Sequence, residues 1–263
     1  MQGRSFLILV ALAAIAWFLF SLLNDEAPNP LSRAARDSGS PTSIFSGNKP
    51  NPLPQPPQGS GDPASARDGN GSLGGHGFDF YVLSLSWSPS YCATEGRRAD
   101  RQQCSSSRPY AFVAHGLWPQ NERGYPQDCP IDNPYVPREL VSQMRDIMPS
   151  AGLMGHEWRK HGSCSGLSQS DYFSAVRRAY EAITIPPNFR NATATRDVDP
   201  MLVEKAFISA NPGIPAGGIA VTCKDGHLED VRICMTKDLK FRSCGEVDAN
   251  ACRRRSVTMP PVR

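Results

Sequence analysis

Phe78-Asp79-Phe80-Tyr81-Val82-Leu83-Ser84-Leu85-Ser86-Trp87 places its apolar residues at Phe78, Phe80 and Val82 on one parity and at Leu83, Leu85 and Trp87 on the other. Alternation with period two among β-formers predicts a strand, and the change of phase predicts a bulge. Further along, the period changes to that of helices. Pro137 opens a pattern of Leu140, Val141, Met144, Ile147 and Met148 that Pro149 ends. A second begins near Ser168 or Ser170, carries Tyr172, Phe173, Val176, Ala179, Tyr180 and Ile183, and stops at Pro186. A third starts at Asp199 and Pro200, with Leu202, Val203, Ala206 and Phe207 on one face, and ends at Asn211 and Pro212. Ile219 to Cys223, Leu228 to Cys234 and Phe241 to Cys244 then read as short strands, the first two joined by the Lys224-Asp225-Gly226 turn. Helices grouped between strand regions, without βαβ alternation or internal repeats, predict an α+β fold: one domain, residues 78–263, with a central antiparallel sheet flanked by helices.

The chain before this domain is of another kind. Phe6 to Leu23 is an 18-residue run whose only polar member is Ser21, with Arg4 before it and Asp25 and Glu26 after it. It reads as an export segment, residues 1–23. At 1.5 Å per residue it would span roughly 27 Å, and no small-x-small cleavage site follows, so an anchor in the membrane fits as well as a removed signal peptide. Residues 24–77 hold 9 Pro, 9 Gly and 8 Ser, and their only large apolar residues are Leu31, Ile44, Phe45, Leu53 and Leu73. Such a segment cannot bury enough surface to fold, and is expected to be a tether.

The 263 residues include 28 Lys+Arg and 25 Asp+Glu, a net charge of +3 that gives no electrostatic argument for nucleic acid. All eight cysteines (Cys92, Cys104, Cys129, Cys164, Cys223, Cys234, Cys244 and Cys252) lie in the expected domain, and no two are closer than eight positions. An even number without C-x2-C pairs, in an exported region, points to disulfides rather than zinc. A periplasmic or extracellular monomer is expected.

Two clusters carry chemistry. In Val113-Ala114-His115-Gly116-Leu117-Trp118-Pro119 an extended apolar run delivers a histidine to a turn bounded by Gly and Pro. In His156-Glu157-Trp158-Arg159-Lys160-His161-Gly162-Ser163-Cys164 two histidines, a carboxylate and an ammonium fall within six residues. On a helix, Glu157, Lys160 and His161 converge. A zincin needs H-E-x-x-H, and here the second histidine comes one residue too late, about 100° further round the helix. Lys160 would also repel a cation, so neither a metal nor another cofactor is expected.

Without a metal, this set fits the cleavage of RNA through its own 2′-hydroxyl. That reaction needs a base, an acid and positive charge for the phosphorane. Two histidines of ordinary pKa near 6.5 can be neutral and protonated at one pH. Lys160 supplies charge, and Trp118 offers a nucleobase a stacking face.

At these residues the sequence resembles the ribonuclease T2 family. His115-Gly116-Leu117-Trp118-Pro119 and His156-Glu157-Trp158-x-Lys160-His161-Gly162-x-Cys164 are similar to its two active-site segments, in the same order. Weaker similarity runs through Trp87-Ser88-Pro89-x-Tyr91-Cys92 and from Cys223 to Cys252. The resemblance implies an α+β fold and a metal-independent endoribonuclease of low sequence specificity. It would act on single-stranded RNA by transesterification through a 2′,3′-cyclic phosphate. It also implies residue roles: His161 as general base, His115 as general acid, Glu157 and Lys160 stabilising the phosphorane, His156 binding phosphate and Trp118 holding a base. Fungal members often carry an aspartate two positions after that tryptophan; here the position is Gln120, which leaves base preference open. The implied disulfides are Cys129 with Cys164, Cys223 with Cys252 enclosing Cys234 with Cys244, and Cys92 with Cys104.

Other residues have plainer readings. His76 and His227 are expected at the surface and Trp158 in the core, and Arg253 to Arg255 form a solvated charge run. Asn70-Gly71-Ser72 and Asn191-Ala192-Thr193 are sequons that matter only in a eukaryotic secretory route. Two other classes compete with an enzyme. A catalytically idle RNA-binding or inhibitor-binding module would not need the full histidine, glutamate and lysine set, and an envelope adhesion or scaffold protein would not need either segment.

Overall fold

The structure, a computed structural model, describes residues 77–105 and 107–262. The export segment, the tether except Gly77, His76 and the Asn70 sequon lie outside the described residues. In chain order the elements are β1 (Phe80–Trp87), α1 (Ser88–Glu95), α2 (Arg101–Cys104), β2 (Phe112–Gln120), α3 (Arg138–Met144) and α4 (Ala151–Lys160). They continue with α5 (Gln169–Glu181), α6 (Pro187–Arg190), β3 (Arg196–Val198), α7 (Pro200–Ala210), β4 (Ile219–Lys224), β5 (His227–Met235), α8 (Gly245–Ala249) and β6 (Val257–Met259).

The fold is α+β, as expected. β2, β1, β5 and β4 lie side by side, each antiparallel to its neighbour. The sheet is mixed rather than purely antiparallel, because β6 meets β5 in parallel at His227 and Thr258 and then pairs with β3. The three expected helices form, two of them at side-chain caps, while α3 ends at Met144, short of the expected Met148. Ser168 accepts from the Asp171 N–H, Asp199 accepts from the Met201 N–H, and Pro137 precedes α3. Phe241 to Cys244 shrinks from a strand to a single bridge between Phe241 and Met235. The short α1, α2, α6 and α8 carry too little apolar periodicity to be read from sequence.

β1 is buried on both faces, which explains its change of phase. Tyr81, Leu83, Leu85 and Trp87 point into the main core with Phe112, Phe173 and Phe207. Phe80 and Val82 point the other way, into a smaller cluster with Trp118, Cys234 and Cys244. On that second face the strand continues with Ser84 and Ser86, so it turns from apolar to polar along its length. Four disulfides (Cys92–Cys104, Cys129–Cys164, Cys223–Cys252 and Cys234–Cys244) brace the domain, in the pairs that the resemblance implies. Among the described residues no helix is long and apolar enough to cross a membrane.

Candidate active site

His115 lies within β2, not at a turn. Ser84 stands opposite Gly116 and Leu85 opposite Ala114, so His115 is the extra residue of a β-bulge. The bulge expected within β1 thus has its added residue on the partner strand. It lets Ala114 and Leu117, three positions apart, both face the main core, and it re-aims the residue between them. The His115 ring, 33% exposed, leaves the sheet on the polar face. Ser86 and Asp230 are cross-strand partners on that face. The Ser86 hydroxyl lies 3.1 Å from Nδ1 of His115 and donates to Oδ1 of Asp230 at 2.5 Å.

The second cluster comes from α4. Ser150 caps the helix by accepting from the Leu153 N–H. Glu157, 1% exposed, faces the sheet, while His156 stays exposed on the adjoining face. The helix ends at Lys160, and His161 adopts φ −121°, ψ −50° as its C-cap while its N–H still reaches the Glu157 carbonyl. Gly162 must be glycine for this ending, since a Cβ there would meet Trp158 at 2.7 Å and Tyr172 at 2.8 Å. The Cys129–Cys164 disulfide and a hydrogen bond from the Asp128 N–H to the Lys160 carbonyl hold the loop after β2 against this end.

The two segments meet at Glu157. Its Oε2 accepts from the Trp118 indole N–H at 2.7 Å, and its Oε1 lies 3.5 Å from Nε2 of His115. A Cβ on Gly116 would come within 2.0 Å of Oε2, so only glycine leaves room for this contact. The Trp118 ring stacks on His161 with centroids 5.1 Å apart, and the Arg232 guanidinium lies 5.1 Å from its centroid. Trp118 is only 9% exposed, which does not suit an open stacking face for a nucleobase. Gln120 is half-buried at the end of β2, opposite Phe80.

The environments of the two histidines push them in opposite directions. Burial works against a charge on His115, but the adjacent carboxylate of Asp230, 3.6 Å from Nδ1, and then the charge of Glu157 outweigh it and raise its pKa to about 9. Burial lowers His161 to about 3, helped by the charges of Lys160, His115 and His156. Its Nδ1 is buried without a hydrogen-bond partner among the described residues. Burial likewise lowers His156, with Lys160 acting in the same sense. Burial raises Glu157 to about 7 against the opposing influence of His115 and the Trp118 hydrogen bond.

Sequence reading missed Ser86, Asp230, Arg232 and Tyr125. A signal existed for two of them: Asp230 and Arg232 fall between Leu228 and Cys234 on one parity of their strand. Tyr125, 48% exposed, places its ring 6.1 Å from that of His161. On the other side, a cavity of about 500 Å³ is lined by Ser86, Tyr91, His115, Leu153, His156 and Asp230, with His227 at its rim. Trp158 is in the core, its indole N–H donating to the Asn133 carbonyl.

Residues 78–244 match the ribonuclease T2 family. A ribonuclease of Aeromonas hydrophila is 35% identical over 165 residues, which are 61% of this chain and 73% of that one. Among solved structures, an RNase-related protein from Calystegia sepium superposes with a TM-score of 0.58 at 22% identity, over 72% of this chain and all of that one. RNase NT, solved in complex with 5′-AMP, superposes with a TM-score of 0.52 at 25% identity, over 71% of this chain and all of its own. The chain therefore belongs to the ribonuclease T2 family and is an endoribonuclease that binds RNA as its substrate.

Proposed function

We propose that the enzyme cleaves single-stranded RNA by transesterification, with His161 as general base and His115 as general acid. The observation that carries this reading is that the two rings flank buried Glu157, His115 with Nε2 3.5 Å from Oε1 and His161 stacked on the Trp118 that donates to Oε2, in surroundings that favour a charged His115 and a neutral His161. His161 takes the 2′-hydroxyl proton, the 2′-oxygen attacks phosphorus, and His115 protonates the leaving 5′-oxygen. A 2′,3′-cyclic phosphate results. Water then opens it, with the two rings exchanging roles. Glu157 and Lys160 stabilise the phosphorane, and His156, at the mouth of the cavity, binds phosphate.

The leaving 5′-oxygen belongs to the nucleotide nearer His115, so the cavity beside Ser86 and Tyr91 takes that nucleotide. The nucleotide that keeps the cyclic phosphate lies toward His161, where exposed Tyr125 offers its base a stacking face. Trp118 acts by holding Glu157. An aromatic stacking face is common to all four bases, in keeping with low sequence specificity. One chain supplies every group the reaction uses, so a monomer suffices. The four disulfides suit an exported domain, with the Phe6–Leu23 segment directing export and residues 24–77 acting as a spacer.

Three measurements test the reading. End-group analysis of partial digests should find 2′,3′-cyclic phosphates, and cleavage should continue in EDTA. The profile of kcat/KM should lose activity above about pH 9, where His115 gives up its proton, and below about pH 3, where His161 gains one. Abolition by EDTA and restoration by zinc would overturn it.

A further inference from the structure

Ser86 and Asp230 belong to neither active-site segment, yet they form a one-way hydrogen-bond chain to His115. A carboxylate only accepts, so the Ser86 hydroxyl must give its proton to Oδ1 of Asp230, 2.5 Å away. Ser86 Oγ, its own proton committed, is then left to accept from Nδ1 of His115 at 3.1 Å. Oδ1 itself lies 3.6 Å from that nitrogen. Asp230 is 2% exposed, and a buried carboxylate needs partners. Arg232 takes its Oδ2 at 3.3 Å, so the ion pair does not use the oxygen that faces Ser86.

We propose that Asp230, acting through Ser86, is a positioning residue that keeps a proton on Nδ1 of His115, so that Nε2 is the nitrogen that protonates the departing 5′-oxygen. The inference rests on the acid role proposed for His115. In the forward step the imidazolium carries protons on both nitrogens. As the bond from phosphorus to the 5′-oxygen breaks, its electron pair takes the Nε2 proton, and the neutral ring keeps its Nδ1–H on Ser86. When water opens the cyclic phosphate, bare Nε2 accepts the water proton and the imidazolium returns. Without the chain to Asp230, the neutral ring could hold its proton on either nitrogen, and Nε2 would not be reserved to accept the proton of water.

The groups that face His115 come from every element around it: Ser86 from β1, Trp118 from β2, Asp230 and Arg232 from β5, and His156, Glu157 and the cap residue His161 from α4. The two carboxylates favour its cation. Arg232, the other histidines and burial oppose it. Asp230 itself, against the upward pull of its burial, is held well below the usual carboxylate range by His115, Arg232 and Ser86.

The test is Asp230→Asn in the full chain, assayed on RNA and on uridine 3′-(4-nitrophenyl phosphate), whose good leaving group needs no acid. On RNA, kcat should fall on the order of 10²-fold with KM little changed. The alkaline limb should move down by about 1–3 pH units, the usual consequence of removing an adjacent opposite charge. The aryl ester should keep most of its rate, and Ser86→Ala should show the same pattern in weaker form. Equal losses on both substrates would make Asp230 merely structural, and unchanged RNA kinetics would remove any role; either result overturns the proposal. His115→Ala separates the two readings. If it leaves RNA cleavage intact, the acid role itself fails. If it slows RNA alone while Asp230→Asn behaves as wild type, only the positioning role fails.

Discussion

The two halves of the site use the same residue type in opposite surroundings. On the sheet, His115 is set between the buried carboxylates of Asp230 and Glu157. At the end of α4, His161 is set among cations, with Trp118 stacked on it and its Nδ1 unsatisfied. Each ring is partly buried, and burial works against a charge on both. What separates them is the sign of the nearest fixed charges. The proposed acid and base therefore need no difference in the side chain itself, and Glu157 links the halves because it touches His115 and, through Trp118, braces His161.

The largest expected effects come from removing either ring. His115→Ala and His161→Ala should each slow RNA cleavage on the order of 10²–10⁴-fold, the usual contribution of a positioned acid or base. Together they should cost less than the product, since both act in one displacement. The substrate breaks the symmetry between them. Cleavage of an activated aryl ester should be spared by His115→Ala and not by His161→Ala. If both variants lost the same factor on both substrates, the division of the site into an acid half and a base half would be wrong.

The same comparison explains what could be read in the sequence. The helical half is contiguous: His156, Glu157, Lys160 and His161 sit within six residues, and helical spacing alone brings them together. The sheet half is assembled from three strands, with Ser86 and Asp230 separated by 144 positions. Nothing in local pattern joins them until strand register is known. His115 was visible as a candidate but not its setting, because a bulge depends on pairing between strands. The core fared similarly. Three helices were legible from their apolar period, two of them with side-chain caps, while β3, β6 and the one-turn helices are too short to show a period. Trp118, three residues from His115, reads as a stacking face for a nucleobase; in the strand it is largely covered.

Gly116 gives the next largest effect, since it lies where the halves come closest. A methyl group there would point at Oε2 of Glu157 from 2.0 Å and at the Trp118 indole nitrogen from 2.5 Å. Gly116→Ala should force the Trp118–Glu157 hydrogen bond apart. Overpacking of this kind costs about 1–3 kcal/mol of stability, visible as a lower Tm. Displacement of Glu157 by even an ångström should also lower kcat on the order of 10²-fold. A variant with wild-type kcat would show that Glu157 need not be held by Trp118, and would uncouple the halves.

The smallest expected effects distinguish the two aromatic neighbours of His161. Trp118 is buried and bonded to Glu157, whereas Tyr125 is 48% exposed and touches only the edge of the site. Trp118→Phe keeps a ring against His161 and removes the indole N–H, leaving one oxygen of a buried carboxylate without its donor. A hydrogen bond to a charged group is worth about 1.5–3 kcal/mol, and its loss should appear in kcat rather than KM because Glu157 acts on the reacting phosphate. Tyr125→Ala should do the reverse. Stacking of a base on an aromatic ring is worth about 1–3 kcal/mol, so KM for dinucleotides should rise while kcat changes little. Steady-state kinetics on a set of dinucleoside phosphates resolves the two patterns. Should Trp118→Phe raise only KM and Tyr125→Ala leave it unchanged, the base would lie on Trp118 after all, and the loop between them would have to open when RNA binds.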